Sequence, residues 1–87
     1  MIILTKPKLN HVITENRETM TVTLHHNSRV FSAIVSRACS SSLCSLILFR
    51  DSEQVQKIPR IGNTFSETVK IAKMTLLYLA DNAPKAA

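Results

Sequence analysis

Two adjacent histidines and two nearby cysteines are the side chains of this sequence best suited to binding a metal ion. His25 and His26 end the segment "TVTLHH", and Cys39 and Cys44 bound the segment "CSSSLC". A structural zinc site needs four ligands, usually in closely spaced pairs. Because neighbouring residues of a strand point to opposite faces, His25 and His26 are poorly placed to bind the same ion. The pattern therefore does not predict a zinc site, and we expect no metal or other cofactor.

The same cysteines permit redox or nucleophilic chemistry. If Cys39 and Cys44 flank a hairpin turn, they can approach closely enough for a disulfide, but buried, inert thiols are the favoured alternative. The first residues, "MIIL", lack the apolar core of a signal peptide. Cysteines without such a peptide are typical of a reducing compartment, so we expect a soluble, cytoplasmic protein. A catalytic cysteine also needs a positioned base, which no spacing here provides.

Catalysis by paired carboxylates is equally poorly indicated. The acidic residues fall in expected turns or in the expected helix, and His11 has no local partner residue. A single glycine leaves no glycine-rich loop to hold a phosphate group. The acidic residues are Glu15, Glu18, Asp51, Glu53, Glu67 and Asp81. We therefore expect that the protein is not an enzyme and has no small-molecule substrate.

The length of the chain limits how stable it is alone. Its 87 residues predict a single domain over 1–87. A chain of this size buries only roughly 60–65% of the surface that its unfolded form exposes. The domain is therefore expected to be only marginally stable, and self-association would add to its stability.

A basic balance favours acidic partners. Eleven Lys and Arg residues against six Asp and Glu give a formal charge of +5. The basic residues are spread along the chain, and a solvated surface accounts for each one singly. Gathered on a sheet, five of them would instead support electrostatic, weakly sequence-specific nucleic-acid binding. These five are Arg29, Arg37, Arg50, Lys57 and Arg60.

Alternating polarity predicts an antiparallel sheet in the first two thirds of the chain. The segment 9–14 is weakly strand-like, 15–18 has turn chemistry, and 19–26 alternates threonine with apolar residues. The segment 29–38 fits either a strand or a helix, and its serines and β-branched residues favour a strand. The segment 45–58 predicts a hairpin that turns at 50–53. Pro59 should end its second strand, because proline has no N–H to donate.

The segment 64–82 predicts a helix. Thr64 and Glu67 form a capping box, Gly62 lies at the sheet-to-helix turn, and Pro84 should stop the helix. One apolar stripe should pack on the sheet: Phe65, Val69, Ala72, Leu76, Leu79 and Ala80. The predicted fold is therefore α+β, an antiparallel sheet of about four to five short strands with one C-terminal helix packed on a face.

A second apolar group on this helix carries the functional hypothesis. Ile71, Met74 and Tyr78 lie roughly opposite the main stripe. Three interpretations compete: a terminal segment such as "MIIL" covers them, they bind a partner or a second copy, or they are scattered surface residues. We favour the second, with Lys70 and Lys73 as a charged margin. The sequence thus predicts a small non-enzymatic regulatory protein that binds a protein partner as a homodimer, and nucleic-acid binding is the alternative. Apolar runs this short predict no membrane span.

Overall fold

The five strands of the described chain form one antiparallel sheet, and one helix follows them. The structure is a computed structural model that describes residues 7–26, 28–40, 43–61 and 64–82, with the backbone alone at 60, 61 and 82. The elements are β1 (Lys8–Ile13), β2 (Arg17–His26), β3 (Arg29–Ala38), β4 (Cys44–Arg50), β5 (Glu53–Ile61) and α1 (Phe65–Asn82). The predicted α+β class is confirmed.

The sheet is a simple meander in which every strand pairs with its neighbour along the chain. The strand order is β1-β2-β3-β4-β5, and all four pairings are antiparallel. In the register, Leu24 lies opposite Phe31 and Val35 opposite Leu46. The preference for a strand at 29–38 is confirmed, because β3 pairs on both sides and buries alternate residues as a strand does.

The turn between β4 and β5 forms where the sequence predicts it. Asp51 and Ser52 take positive φ angles of 52° and 69°, which are typical of the turns in two-residue hairpins. The Asp51 carboxylate accepts hydrogen bonds from the Val30 N–H at 2.9 Å and from Arg29 Nη1 at 3.0 Å. These bonds fasten this turn to the start of β3, so an otherwise unfavourable backbone conformation is held from outside the hairpin.

Pro59 does not end β5, so that prediction is wrong. The strand continues to Ile61, which lies opposite Cys44, and the register shifts between Cys44 and Leu46. β5 is the outermost strand on its side of the sheet. A proline is tolerated on such an edge strand or at a bulge, because the N–H that it lacks need not join a ladder.

The helix α1 begins at its predicted cap. Thr64 Oγ1 accepts a hydrogen bond from the Glu67 N–H at 3.2 Å, and the Thr68 hydroxyl donates to the Thr64 carbonyl at 2.8 Å. The predicted helix and its first-turn cap are confirmed. The roles predicted for Gly62 and Pro84 lie outside the described residues.

The core lies between α1 and one face of the sheet. The helix contacts β2, β3 and β4. The predicted stripe is confirmed: Val69, Ala72, Leu76 and Ala80 are buried, and Phe65 and Leu79 pack against them. The sheet contributes Val22, Leu24, Phe31, Ala33, Val35, Cys44, Leu46 and Leu48. Thr68, which the prediction omitted, is also fully buried, and its hydroxyl is satisfied within the helix.

Candidate functional site

The side of α1 that faces away from the sheet exposes two large apolar side chains. Met74 is 71% exposed and Tyr78 is 67% exposed. They are four residues apart on a helix, so they are neighbours on its surface. Lys70 lies four residues before Met74 and is also exposed. We call Lys70, Met74 and Tyr78 the helix outer face.

Ile71 and Lys73 are less exposed than the residues of the helix outer face. Ile71 is half-buried and packs against the core cluster. Lys73 is also half-buried, and it shares a depression of about 280 Å³ with Lys70, His11 and Phe65, between α1 and β1. Each residue rotates the helix by about 100°, so both side chains project from the sides of α1. The sheet is broad enough to extend past the central apolar stripe of α1 toward them. Of the predicted trio, Met74 and Tyr78 are thus exposed, and Ile71 lies at the margin of the core.

The sheet has a second face, opposite α1, which the sequence analysis did not consider. Residues that alternate with the core positions form it, and no element of the described chain packs over them. Ile34 and Ile47 lie directly opposite each other on β3 and β4, and Phe49 lies two residues further along β4. All three are half-buried. We call this surface the open face.

Polar uncharged residues fill most of the remaining open face. The threonine and serine positions of the central strands are Thr19, Thr21, Thr23, Ser32, Ser36 and Ser45, and His25 and Val30 continue the face toward the β2–β3 turn. Charged groups lie at its margins: Lys8 on β1, Lys57 on β5 and Arg17 at the start of β2. The run "LILF" in β4 is the sequence feature that could have indicated an apolar open face, because a strand without alternation is typical of burial on both faces.

A polar cluster fastens three strands together beside the helix. Glu18 on β2 accepts from Arg37 Nη2 at 2.7 Å through one oxygen, and its other oxygen lies 2.7 Å from His11 Nε2. The His11 ring stacks on Phe65 at 5.7 Å between centroids. The hydrogen bond from Arg37, and then that from His11, lowers the pKa of Glu18 below its ordinary value. A carboxylate committed to two partners acts as an anchor here, which is a structural role.

The five residues of the nucleic-acid hypothesis do not form one patch. Arg29 and Arg37 lie at opposite ends of β3, where they bind Asp51 at 3.0 Å and Glu18 at 2.7 Å. The exposed Lys57 alternates onto the open face, and Arg50 is exposed near the β4–β5 turn. The side chain of Arg60 lies outside the described residues.

The cysteines and histidines of the metal and redox hypotheses are also dispersed. Both cysteines lie in the described chain, and they are thiols rather than a disulfide. Cys44 is buried as expected, whereas Cys39 is exposed, because it lies in the turn after β3. Among the described residues, no group of three or more His, Cys, Asp or Glu side chains is placed to hold a metal ion.

Comparisons with protein-family models, with curated proteins and with solved structures give no significant match to this chain. Within the described ranges, no helix has both the length and the apolar character needed to cross a membrane. Among the described residues, the helix outer face and the open face both carry large apolar side chains that no other element covers, and Leu9 and Ile13 on the edge strand β1 are exposed as well.

Proposed function

We propose that the protein is a small non-enzymatic regulator that acts as a homodimer by binding a protein partner through the helix outer face. The observation that supports this proposal is the exposure of Met74 and Tyr78, 71% and 67%, side by side on the most regular element of the chain. A helix face held rigidly by a core behind it is a common way to present anchors to a groove in another protein.

The chemistry of the pair suits a protein partner. Tyr78 offers apolar area with a hydroxyl at its tip, and side chains of this kind are enriched at interface hot spots. Met74 is flexible and fills irregular gaps in a partner's surface. Each contributes about 1.5–3 kcal/mol if its apolar surface is fully buried.

The charge around the pair indicates which partners are favoured. Lys70 is exposed beside Met74, and Lys73 lies on the next flank of the helix. With a formal charge of +5 on the chain, a partner with an acidic rim around an apolar groove gains electrostatic steering as well as contact. Binding through this surface should therefore weaken moderately, and not collapse, when salt is raised.

The experiment is a comparison of captured partners in extracts of the native host. The bait is the wild type, the Met74→Asp plus Tyr78→Asp variant, or the control Ser28→Asp plus Ser52→Asp, which adds the same two negative charges at exposed turn positions outside the helix. We expect the wild type and the control to retain the same partner and the double variant to lose it. Capture of identical proteins by all three baits would contradict the proposal.

Nucleic-acid binding remains the alternative, and the net charge of +5 favours it. The pairing of Arg29 and Arg37 with carboxylates reduces the positive charge that they can offer to a phosphate backbone. A titration of generic DNA and RNA at increasing salt separates the two functions. Tight binding at low salt that is lost steeply as salt rises would favour the alternative, and no binding at low salt would exclude it.

A further inference from the structure

We propose that the open face of the sheet is the homodimer interface, and that its occupant is the same face of a second copy of this chain. The surface comprises the outward positions of all five strands, with Ile34, Ile47 and Phe49 on its inner strands and Lys8 and Lys57 on its edge strands. It lies on the side of the sheet opposite α1, so it is separate from the helix outer face.

The alternation of apolar and polar residues breaks down in β4. A sheet face that is left in water normally carries polar side chains, which makes its strands alternate. β2 follows this rule, since its threonines alternate with buried Val22 and Leu24. β4 does not, because Ile47 and Phe49 occupy outward positions between buried residues. Together with Ile34, the cross-strand partner of Ile47, they make a continuous apolar patch at the middle of the face.

Charged side chains lie at the margins of the open face. The outward positions of the central strands between Thr19 and Thr23, and between Ser32 and Ser36, carry no ionisable side chain. Lys8 and Lys57 lie at the two edges instead, and at one end of the face Arg17 Nη1 donates a hydrogen bond to Ser36 Oγ at 2.6 Å. Depletion of charge at the centre with charge at the rim is the compositional pattern of protein interfaces.

The area of the open face follows from the lengths and spacing of its strands. Five strands of 6, 10, 10, 7 and 9 residues, spaced about 4.8 Å apart with a rise of about 3.3 Å per residue, give a flat area of roughly 500–600 Å². The molecular surface is rougher than this projection, which brings it near the ~800 Å² that a standard interface buries on each partner. The open face is thus large enough for a stable dimer.

A second copy fits this face better than a charged partner does. Two sheets of the same twist pack face to face about 10 Å apart, with their strands rotated by about 30°. Two identical faces of threonine, serine and isoleucine can pack together, because their methyl and hydroxyl groups carry no charge. Two identical charged faces would repel each other. The lysines at the rim keep their ammonium groups in water in such an assembly. The face therefore has the chemistry of a symmetric contact.

The first test measures the mass of the protein by size-exclusion chromatography with light scattering. We expect twice the chain mass for the wild type and for Met74→Asp plus Tyr78→Asp. Ile34→Lys plus Ile47→Lys should fall to the chain mass with its far-UV circular dichroism unchanged, because two ammonium groups from each chain would be buried in the contact. A monomeric wild type would overturn the proposal, whether residues 1–6 or a different protein cover the face. A folded lysine variant that remains dimeric would overturn it too.

A crosslinking test decides the matter if the lysine variant fails to fold. Both samples carry Cys39→Ser, which removes the exposed thiol and keeps the buried Cys44. Ile34→Cys puts a thiol on the middle strand, where symmetry-related residues lie closest, and Ser66→Cys puts the matched control on α1. A short bismaleimide should link chains through Ile34→Cys only. Equal yields at both positions, or no linked dimer at either, would overturn the proposal.

Discussion

The helix outer face and the open face differ in how they expose apolar surface. On the helix, Met74 and Tyr78 each stand more than two thirds exposed among charged neighbours. On the sheet, Ile34, Ile47 and Phe49 are each less exposed, but they are continuous with one another. Uncharged residues border them on β2 and β3, and Lys57 lies beside Ile47 on β5. The difference shows that the exposure of single side chains identifies anchors, whereas continuity across neighbours identifies an interface.

Geometry is the reason for this difference. A helix surface is convex, so only residues three or four apart touch, and the ends of long side chains remain in water. A pleated sheet is nearly flat, and each outward side chain is shielded by its cross-strand partners. The fractional exposure of single side chains therefore understates the apolar surface area that a sheet face can bury against a flat partner.

The largest effect should come from the core that both faces share. Leu76 is fully buried between α1 and the sheet. Leu76→Ala should lower the free energy of unfolding by about 2–5 kcal/mol, through lost transfer energy and the cavity left behind. Met74→Ala, two residues away but exposed, should change it by about 0.5 kcal/mol or less. Urea denaturation of both variants measures the contrast, and a similar loss in both would mean that α1 does not pack as described.

A side-chain truncation on the open face should weaken the dimer, whereas a truncation on the helix outer face should not. Phe49→Ala removes a large apolar side chain from the proposed contact, so the dimer should weaken by about 1.5–3 kcal/mol, or about 10- to 150-fold in its dissociation constant. Tyr78→Ala should leave that constant unchanged. Isothermal dilution calorimetry measures both, and a dissociation constant that responds to Tyr78→Ala and ignores Phe49→Ala would reverse the assignment of the two faces.

Loss of the helix cap should have a smaller effect, confined to stability. Thr64→Ala removes the acceptor for the Glu67 N–H and should cost about 1 kcal/mol. Thr64→Ser keeps the hydroxyl oxygen and is the matched control. Thermal unfolding compares the two, and equal melting temperatures for wild type and Thr64→Ala would show that the cap contributes nothing.

The smallest predicted effect concerns pH. The hydrogen bonds from Arg37 and His11 lower the pKa of Glu18 from its ordinary 4.5 in the folded protein. Above pH 4.5 Glu18 is ionised in both states and its stabilising contribution is complete. As the pH falls below 4.5 toward the folded-state pKa, the unfolded chain binds the proton first, so this contribution is lost.

Glu18→Gln tests this pH dependence directly. It should be less stable than the wild type at neutral pH, and the gap should narrow as the pH falls below 4.5. Glu15→Gln, in the exposed turn before β2, is the matched control and should keep a constant offset. Unfolding midpoints across an acid pH series provide the measurement. A gap that does not narrow would show that Glu18 makes no charge-dependent contribution.

Local pattern predicted most of the fold, and tertiary context explains where it failed. The helix was predictable because its cap, its stripe and its length agree. The prediction at Pro59 was wrong because a proline is tolerated in an edge strand, and β5 is an edge strand. The position of a strand in the sheet cannot be read from the local sequence. Ile71 was placed on the outer face because a helix projection does not show how far a sheet reaches around it.

The open face was the larger omission, and part of its signal was in the sequence. The unbroken run "LILF" already indicated a strand with two apolar faces. The pairing of Ile34 with Ile47 could not be read locally, since it depends on the register between β3 and β4. A surface assembled from several strands becomes visible only when their register is known.

Sedimentation equilibrium of two double variants side by side tests the central claim most directly. Ile34→Lys plus Ile47→Lys alters only the open face, and Met74→Asp plus Tyr78→Asp alters only the helix outer face. The account predicts that the first sediments as a folded monomer and the second as a dimer of wild-type affinity. A dimeric first variant with a monomeric second would place self-association on α1 and contradict the account.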